Sequence, residues 1–254
     1  MSKLKNKTTK ICGHDDGQIN IRGFSLTDEL IGKISFTEML LLHFLGVKPS
    51  HKQIAILDSV LVAIMEHGIT PSVISARQTL LGAPESFQGA VSAGLLGIGD
   101  HFAGTCSKCA SLLDEAVELD IEINSASEVV ISKFHDAGGK YVPGFGHPSF
   151  KTSDPRTVKL FEIARSVGVA GRYIETVNIF AKIIEKKQNK LLVPNVSAAI
   201  AAVLLECEIP IAVMRGIVLV ARCGGLIGHV LEEIENPIAN EIWQNADQTT
   251  YYKT

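Results

Sequence analysis

The stretch of sequence that decides the fold and the site is Lys140-Tyr-Val-Pro-Gly-Phe-Gly-His147-Pro-Ser-Phe-Lys151-Thr-Ser-Asp154-Pro155-Arg156. Its first half predicts a rigid loop, because Pro143 and Pro148 limit the backbone freedom on both sides of His147. Gly144 and Gly146 lack a Cβ atom, so a ligand can approach the backbone of this loop closely. A His-Pro pair is also typical of an ordinary turn, but the charged residues that follow favour a binding site.

The second half of the stretch predicts the start of a helix. Asp154 followed by Pro155 is a typical pair of N-cap and first-turn residues. Arg156 then lies in the first turn, at the positive end of the helix dipole, where an anion binds favourably. Together with His147 and Lys151, this arrangement predicts a site for a carboxylate and for a ligand that bears phosphate.

Composition narrows the class of protein. The chain has 254 residues, of which 46% are hydrophobic, so it can form one large domain or one domain with a small appendage. A formal net charge of -3 provides no basic field for nucleic acid. No stretch of about 18 residues is apolar without polar interruption, so we expect no membrane span. The basic N-terminus has no apolar segment behind it and does not predict a signal peptide.

The five cysteines indicate reduced thiols and a cytoplasmic location, because a chain of this size folds without disulfides and the number is odd. Cys106 and Cys109 form a lone Cys-x-x-Cys pattern. No second pair stands at zinc-binding spacing, and no βαβ pattern surrounds the first. We therefore expect no metal site and no redox use of this pair.

Helix signals fill nearly the whole chain, so an all-α fold is predicted. The convincing strand signal is confined to a hairpin within residues 11–22. Capping boxes predict helix starts at Ser35, Ser50 and Ser125. Further helices are expected from Thr70 to near Gly82 and over 109–119, 155–167, 172–187, 196–205 and 210–235.

The last long helix is apolar nearly all round before Arg222, so we expect it to be buried. Residues 236–254 are polar and contain the single tryptophan, Trp243, and are expected to fray or to reach a second subunit. The predicted organisation is a mobile or hairpin N-terminus over 1–18, a helical domain over 19–235 and a polar C-terminal tail over 236–254.

The pattern Pro-Gly-Phe-Gly-His147-Pro-x-x-Lys151-x-x-Asp154-Pro155-Arg156 resembles the signature of the citrate synthase family. Two further segments are similar to the opening and the ending of that family, namely Ile19–Gly23 with Ser35–Glu38, and Arg222 with Gly225 and His229. Residues 66–68 and 94–104 resemble the lyase end of ATP-citrate lyase and the stand-alone citryl-CoA lyases. The resemblance implies a large and a small helical domain, with the smaller, coenzyme A-side part over about 125–205, in a homodimer or higher homo-oligomer.

The resemblance also implies the role of several residues toward a four-carbon acid. His147 would contact its carbonyl or hydroxyl oxygen, and His67, Arg156 and Arg222 would neutralise its carboxylates. A buried arginine on an apolar helix must be paired or bound to an anion, which supports the role of Arg222. The substrate-binding set implied in this way also includes Asn195 and His229.

Coenzyme A is implied on the other side of the same site. The loop before the histidine would hold the adenine with backbone groups, and Lys151 would meet phosphates. The implied loop residues are Val142, Pro143, Gly144 and Gly146. Coenzyme A enters as a thioester substrate, so the resemblance implies no permanently bound cofactor and no metal.

The main departure from the family is Ser197, which stands where the family carries an aspartate that exchanges a proton with acetyl-CoA. A serine hydroxyl is too weak a base at neutral pH without an activator. Either His101, Glu232 or Glu233 supplies the proton chemistry, or the reaction differs, or activity has been lost. His101 is itself a departure, because the family histidine that polarises the thioester aligns with Phe102.

These features predict a carbon–carbon lyase that splits citryl-CoA, or a related 3-hydroxyacyl-CoA, into an acyl-CoA such as acetyl-CoA and an oxo-acid such as oxaloacetate. A stretch that longer citrate synthases have before His67 is absent, which favours the lyase branch. One alternative is a citrate or methylcitrate synthase-type acyltransferase. The other is a non-catalytic relative that binds an acyl-CoA or a tricarboxylate, which the serine at 197 favours.

Overall fold

The computed structural model describes residues 7–15 and 17–253. The chain consists of two compact units, which meet in sequence between Asp58 and Ser59. The boundaries at 18/19 and 235/236 that the sequence suggests stay predictions. The first unit contains the predicted hairpin, in which Cys12 pairs with Ile21 and two further strand residues follow. The elements that begin in this unit are β1 (Cys12–Asp15), β2 (Gln18–Ile21), β3 (Phe24–Ser25), a π-helical turn (Leu26–Leu30), α1 (Phe36–Leu45) and α2 (His51–Ile64).

Two of the predicted capping boxes form in this part of the chain. The Ser35 hydroxyl accepts a hydrogen bond from the backbone N–H of Glu38 at 3.1 Å. Ser50 and Gln53 exchange two bonds, because the side chain of each accepts from the backbone N–H of the other. These bonds satisfy N–H groups that the first turn of a helix leaves without partners, and they start α1 and α2 where the sequence predicts.

The second unit consists of helices. They are α3 (Pro71–Gly82), α4 (Phe87–Leu96), α5 (Gly104–Glu118), α6 (Ile123–Asp136), α7 (Pro155–Ser166), α8 (Arg172–Gln188), α9 (Val196–Glu206), α10 (Ile211–Glu235) and α11 (Ala239–Thr249). The all-α fold predicted from the sequence is confirmed, with the short sheet as its exception in the described residues.

Helix α9 lies at the centre of the second unit. It packs against α5, α7, α8 and α10, and its residues from Ala198 to Leu205 are all buried. A helix that is apolar all round is stable only in such a position. The N-terminus of α9 is thereby fixed in the core, and the residues just before and within its first turn have a defined place for chemistry.

Three expectations need correction. Helix α6 is capped by Glu122, whose carboxylate accepts from the backbone N–H groups of Asn124 and Ser125, and not by the predicted Ser125 box. The polar tail after residue 235 contains helix α11, which packs on α3 and begins at the buried Ala239. Helix α10 is buried on one face only, because α3, α4 and α5 cover one side, and Leu231 on the other side is half exposed.

Among the helices of the described residues, α10 is the one whose length and apolar composition would allow it to cross a membrane. It carries two arginines, and one of them, Arg215, pairs with Asp100 at 3.0 Å. Packing against α3, α4, α5 and α9 is typical of a core helix. The absence of a membrane partner stays a prediction.

Candidate active site

The glycine-rich loop is held against the segment that leads into α9. The backbone N–H of Gly146 donates to Val193 at 2.8 Å, and that of Asn195 donates to the carbonyl of Gly144 at 2.9 Å. The Asn195 side chain adds a bond from Nδ2 to the carbonyl of Gly146 at 2.8 Å, while its Oδ1 accepts from the N–H of Ser197 and caps α9. The loop and the first turn of α9 therefore form one rigid wall.

Arg156 is oriented by the residue that caps its helix. Asp154 is buried, and its two carboxylate oxygens accept from Nε and Nη2 of Arg156 at 3.0 and 2.8 Å. The same carboxylate accepts from the backbone N–H groups of Arg156 and Val196. Burial opposes ionisation of Asp154, but these hydrogen bonds outweigh it and lower the pKa. Nη1 of Arg156 makes no hydrogen bond to Asp154, so it is available to a partner on the side of the guanidinium that faces away from Asp154.

His147 has a defined tautomer. Its Nδ1 accepts hydrogen bonds from the backbone N–H groups of Ser149 and Phe150 at 3.1 and 3.2 Å. An imidazole nitrogen that accepts carries no proton, so the neutral ring holds its proton on Nε2. Burial, and then the charges of Arg156 and Lys151, lower the pKa of His147 against the opposing effect of Asp154. The ring is therefore a neutral N–H donor.

His67 has the same tautomer. Its Nδ1 lies 3.4 Å from Nη1 of Arg156, which can only donate, so the proton of the neutral ring is on Nε2. Burial, and then Arg156, Arg222 and His147, lower the pKa of His67, with Glu66 opposing. The two imidazole rings lie edge to face with centroids 6.3 Å apart.

Arg222 is half-buried and has only weak partners. Its contacts to the carbonyl of Ile64 and the hydroxyl of Thr70 are both 3.5 Å long, and it forms no ion pair with any described residue. Burial lowers the pKa of Arg222, with Glu66 opposing. A half-buried cation without a close counter-ion is a favourable position for the carboxylate of a ligand.

These groups share one cavity of about 320 Å³. Its polar end is the cluster of His67, His147, Arg156 and Arg222, and much of the remaining lining is apolar. The other lining residues are Ile64, Glu66, Ile98, His101, Phe102, Thr105, Cys106, Gly146, Pro148, Asn195, Val196, Ser197, Ile200 and Val218. An apolar pocket with a few convergent polar groups is the usual form of a small-molecule site.

Comparison with known proteins identifies the family. The model of the citrate synthase C-terminal domain matches residues 22–245. The chain belongs to the citrate synthase family. Over 193 residues it is 28% identical to the citrate synthase of Haloferax volcanii, an alignment that covers 75% of this chain and 49% of that protein. The chain thus spans about half the length of this relative.

Two solved structures show the same fold. The citryl-CoA lyase from Hydrogenobacter thermophilus matches with a TM-score of 0.87 and 28% identity, over 98% of this chain and 95% of that one. The ATP citrate lyase from Methanothrix soehngenii, in complex with citrate and coenzyme A, matches with a TM-score of 0.77 and 20% identity, over 100% of this chain and 43% of that one. The second likeness shows the fold alone.

Several residues that the family resemblance singled out lie elsewhere than in the cavity wall. His229 does not line the cavity, because its ring is held between Glu66 and Arg77. Val142 and Gly144 are buried, and Lys151 is exposed and donates to the carbonyl of His147 at 3.3 Å. Of the predicted coenzyme A loop, Gly146 is the residue that lines the cavity, and Pro143 does not. Their roles toward coenzyme A stay predictions.

Glu232 and Glu233, considered above as proton donors, belong to an ion-pair cluster outside the cavity. Arg77 is fully buried and pairs with both, at 2.7 Å to Glu233. Glu233 also accepts from the backbone N–H groups of Ile238 and Ala239, which fixes the start of α11. The sequence analysis missed Arg77, although an arginine within a helix that is otherwise weakly charged was the available signal.

Two of the predicted catalytic residues, Ser197 and His101, line the cavity together with Cys106. The thiols nearby have no catalytic chemistry of their own. Cys106 contributes to the apolar wall, where burial raises the pKa of its thiol to about 12. Burial also raises the pKa of Cys109. Both thiols are protonated at neutral pH and inert as nucleophiles. Among the described residues, no group of three or more His, Cys, Asp or Glu side chains could hold a metal ion.

Proposed function

We propose that this chain is a carbon–carbon lyase of the citryl-CoA type, which splits a 3-carboxy-3-hydroxyacyl-CoA into an acyl-CoA and an oxo-acid. The observation that carries the proposal is the convergence of Arg156, Arg222, His67 and His147 on one cavity. The match to the citryl-CoA lyase from Hydrogenobacter thermophilus, which extends over nearly all of both chains, supports the lyase over the synthase.

The electrostatics of the cavity suit the proposed bond cleavage. When the bond between C2 and C3 breaks, negative charge moves from the C3 oxygen to the thioester carbonyl. Two neutral imidazole N–H donors and two guanidinium groups are already in place, so no reorganisation is needed as the charge develops. Arg222 and Nη1 of Arg156 would hold the carboxylates of the oxo-acid, in this scheme.

The direct test is cleavage of citryl-CoA by the purified protein, with oxaloacetate measured in a coupled assay. Arg222→Gln should raise KM and lower kcat/KM by about 10²-fold, because a charge-assisted contact worth about 2–3 kcal/mol is lost. Lys159→Gln, on the exposed Lys159–Glu162 pair, is the control and should match the wild type. The same assay run with acetyl-CoA and oxaloacetate measures the synthase direction.

A second candidate is a relative that binds a coenzyme A ester or a tricarboxylate without turnover. It is favoured by Ser197, which presents a hydroxyl to the cavity and has no side-chain hydrogen bond to a described residue. Calorimetry with coenzyme A, citrate and citryl-CoA separates the two candidates. Binding without turnover, in the wild type and in Ser197→Asp, would support the binding protein and contradict the lyase.

The proposed enzyme is a cytoplasmic homodimer or higher homo-oligomer. Exposed apolar residues on α10 support self-association, since Ile227, Leu231 and Ile234 lie on one face, and Trp243 on α11 is 61% exposed. The odd number of five cysteines supports a reducing compartment. Mass photometry of the wild type and of Leu231→Glu tests the assembly, and a monomeric wild type would contradict it.

A further inference from the structure

The proposed cleavage needs a group that takes the hydroxyl proton and returns a proton to carbon, and this inference rests on that proposed function. Such a group must reach the cavity and must have a lone pair that no other contact uses. The position that carries an aspartate in the family is Ser197 here, whose hydroxyl is too weak a base. The hydrogen bonds of the other basic groups at the cavity determine which of them can accept a proton.

The two histidines at the polar end can only donate hydrogen bonds to a ligand. His147 uses Nδ1 to accept two backbone N–H groups, and His67 uses Nδ1 to accept from Arg156. Their second ring nitrogen carries the proton, so neither ring offers a free lone pair to the substrate. They can stabilise negative charge on oxygen, but they do not accept a proton in this arrangement.

The two carboxylates near the cavity are less suited to accept a proton. In Glu66, which lines the cavity, Oε1 accepts from the N–H groups of His67 and Gly68 and from His229, while Oε2 has no hydrogen bond to a described residue. Burial opposes ionisation of Glu66, but these bonds outweigh it and lower the pKa, so this carboxylate is a weaker base than a free one. Asp154 is buried under Arg156, so it does not face the substrate either.

His101 is different. It lines the cavity, its side chain is exposed, and its ring has no hydrogen-bond partner in the part of the chain that the structure describes. Its backbone is fixed, because its carbonyl accepts from Thr105 at 3.2 Å and the N–H of Ala103 closes the turn on Gly99 at 2.9 Å.

The neighbouring residue anchors this turn to two helices. Asp100 pairs with Lys108 of α5 and with Arg215 of α10, in both cases at 3.0 Å. The turn therefore holds the imidazole at the cavity while leaving the ring free. We propose that His101 is the acid–base catalytic residue of this enzyme, in place of the family aspartate.

The proton balance of the step is complete within the substrate and one imidazole. The neutral His101 ring accepts the proton of the C3 hydroxyl. The electron pair of the bond between C2 and C3 passes to C2, and the C3 oxygen becomes the carbonyl of the oxo-acid. The imidazolium then gives the proton to C2, which completes the acyl-CoA, and no water, metal or oxidant is consumed.

The test is exchange of the methyl protons of acetyl-CoA in D₂O, followed by mass spectrometry, with oxaloacetate present. The wild type should exchange, and His101→Gln should slow exchange by about 10²–10⁴-fold, which is the usual contribution of a positioned acid–base group. Ser197→Ala, which removes a weak base from the same cavity, should slow exchange far less than His101→Gln. His51→Gln, which changes an exposed histidine at the start of α2, is the matched control.

Two further measurements separate catalysis from structure. Calorimetry with coenzyme A should give the wild-type affinity for His101→Gln, and free imidazole should restore exchange in His101→Gly, since the position is open to solvent. Exchange at the wild-type rate in His101→Gln, or a larger loss in Ser197→Ala than in His101→Gln, would overturn the assignment of His101 but not the proposed function. A wild type that neither cleaves citryl-CoA nor exchanges would overturn the proposed function as well.

Discussion

Nε2 of His229 donates a hydrogen bond to Oε1 of Glu66 across 3.0 Å, while Nδ1 of the same ring accepts from Arg77 at 2.8 Å. The tautomer follows because a guanidinium N–H can only donate. Oε1 of Glu66 also accepts from the backbone N–H of His67 at 2.6 Å. A chain of hydrogen bonds therefore connects a fully buried guanidinium with the backbone of a histidine in the cavity.

This relationship predicts a large loss of stability in Arg77→Met. The substitution leaves Glu233, which is only 5% exposed, without its cation, and it removes a donor from His229. Breaking a buried pair by removal of one partner costs about 3–5 kcal/mol. Urea denaturation measures the free energy of unfolding. Lys133→Met is the control, because its pair with Glu115 is exposed and worth less than about 1 kcal/mol. Equal losses in the two variants would contradict the argument.

A second prediction concerns pH and Asp154. Asp154→Asn keeps a capping side chain but removes the charge that accepts from Arg156, so we expect a loss of about 1.5–3 kcal/mol at pH 7. The pKa of Asp154 is lowered in the folded state, so its contribution is fully present above the ordinary value of 3.8 and is lost as pH falls through the folded value.

The measurement is the difference in unfolding free energy between the wild type and Asp154→Asn across pH. It should be constant near neutrality and shrink below about pH 4. Asp120→Asn, at an exposed position, should show little difference at any pH. A difference that persists unchanged into acid would mean that the charge of Asp154 contributes nothing.

Local signals in the sequence were enough to find most helices and two of the four residues at the polar end of the cavity, His147 and Arg156. Asp154 and Pro155 predicted the start of α7 because a cap and a fixed φ act within one turn. His147 and Arg156 were found together because they belong to one loop and the helix after it. His67 and Arg222 required the family resemblance, since no local rule joins residues that are so distant along the chain.

The sequence could not predict the features that depend on contacts between side chains of different helices. Arg77, His229 and Glu66 form their hydrogen bonds between three helices or helix ends, and no spacing rule brings them together. For the same reason Glu233 appeared available for proton transfer until its pairing with Arg77 was known. The uncovered face of α10 was missed because apolar composition indicates burial but does not say which neighbour provides it.

A third prediction is the protonation of the two cavity histidines. His67 and His147 should both be neutral with the proton on Nε2 at pH 7, and both should titrate below their ordinary pKa of 6.5. Because the unfolded chain takes up these protons first, stability should fall as pH drops through this range. Two-bond ¹H–¹⁵N spectra of ¹⁵N-histidine protein report the tautomer directly. A proton on Nδ1 of either ring would contradict the hydrogen-bond assignment.

The last prediction concerns Gly144, whose φ of +89° is shared by Gly138. A Cβ at Gly144 would lie 2.7 Å from Sγ of Cys109 and 2.9 Å from Cβ of Ala198, whereas one at Gly138 meets nothing within 4 Å. Gly138→Ala should therefore cost only the left-handed backbone strain, about 1–2 kcal/mol. Gly144→Ala should cost about 1–3 kcal/mol more, because α5 and α9 must move apart to admit the methyl group.

The free energies of unfolding of the two variants, measured by urea denaturation, give this difference directly because the backbone strain cancels between them. The carbonyl of Gly144 accepts from the N–H of Asn195, so a displaced loop should also loosen the cap of α9 and the position of Ser197. Gly144→Ala should therefore weaken binding of citryl-CoA, while Gly138→Ala should not. If both variants lose the same stability, the loop does not press against α5 and α9, and the rigid wall of the cavity has another origin.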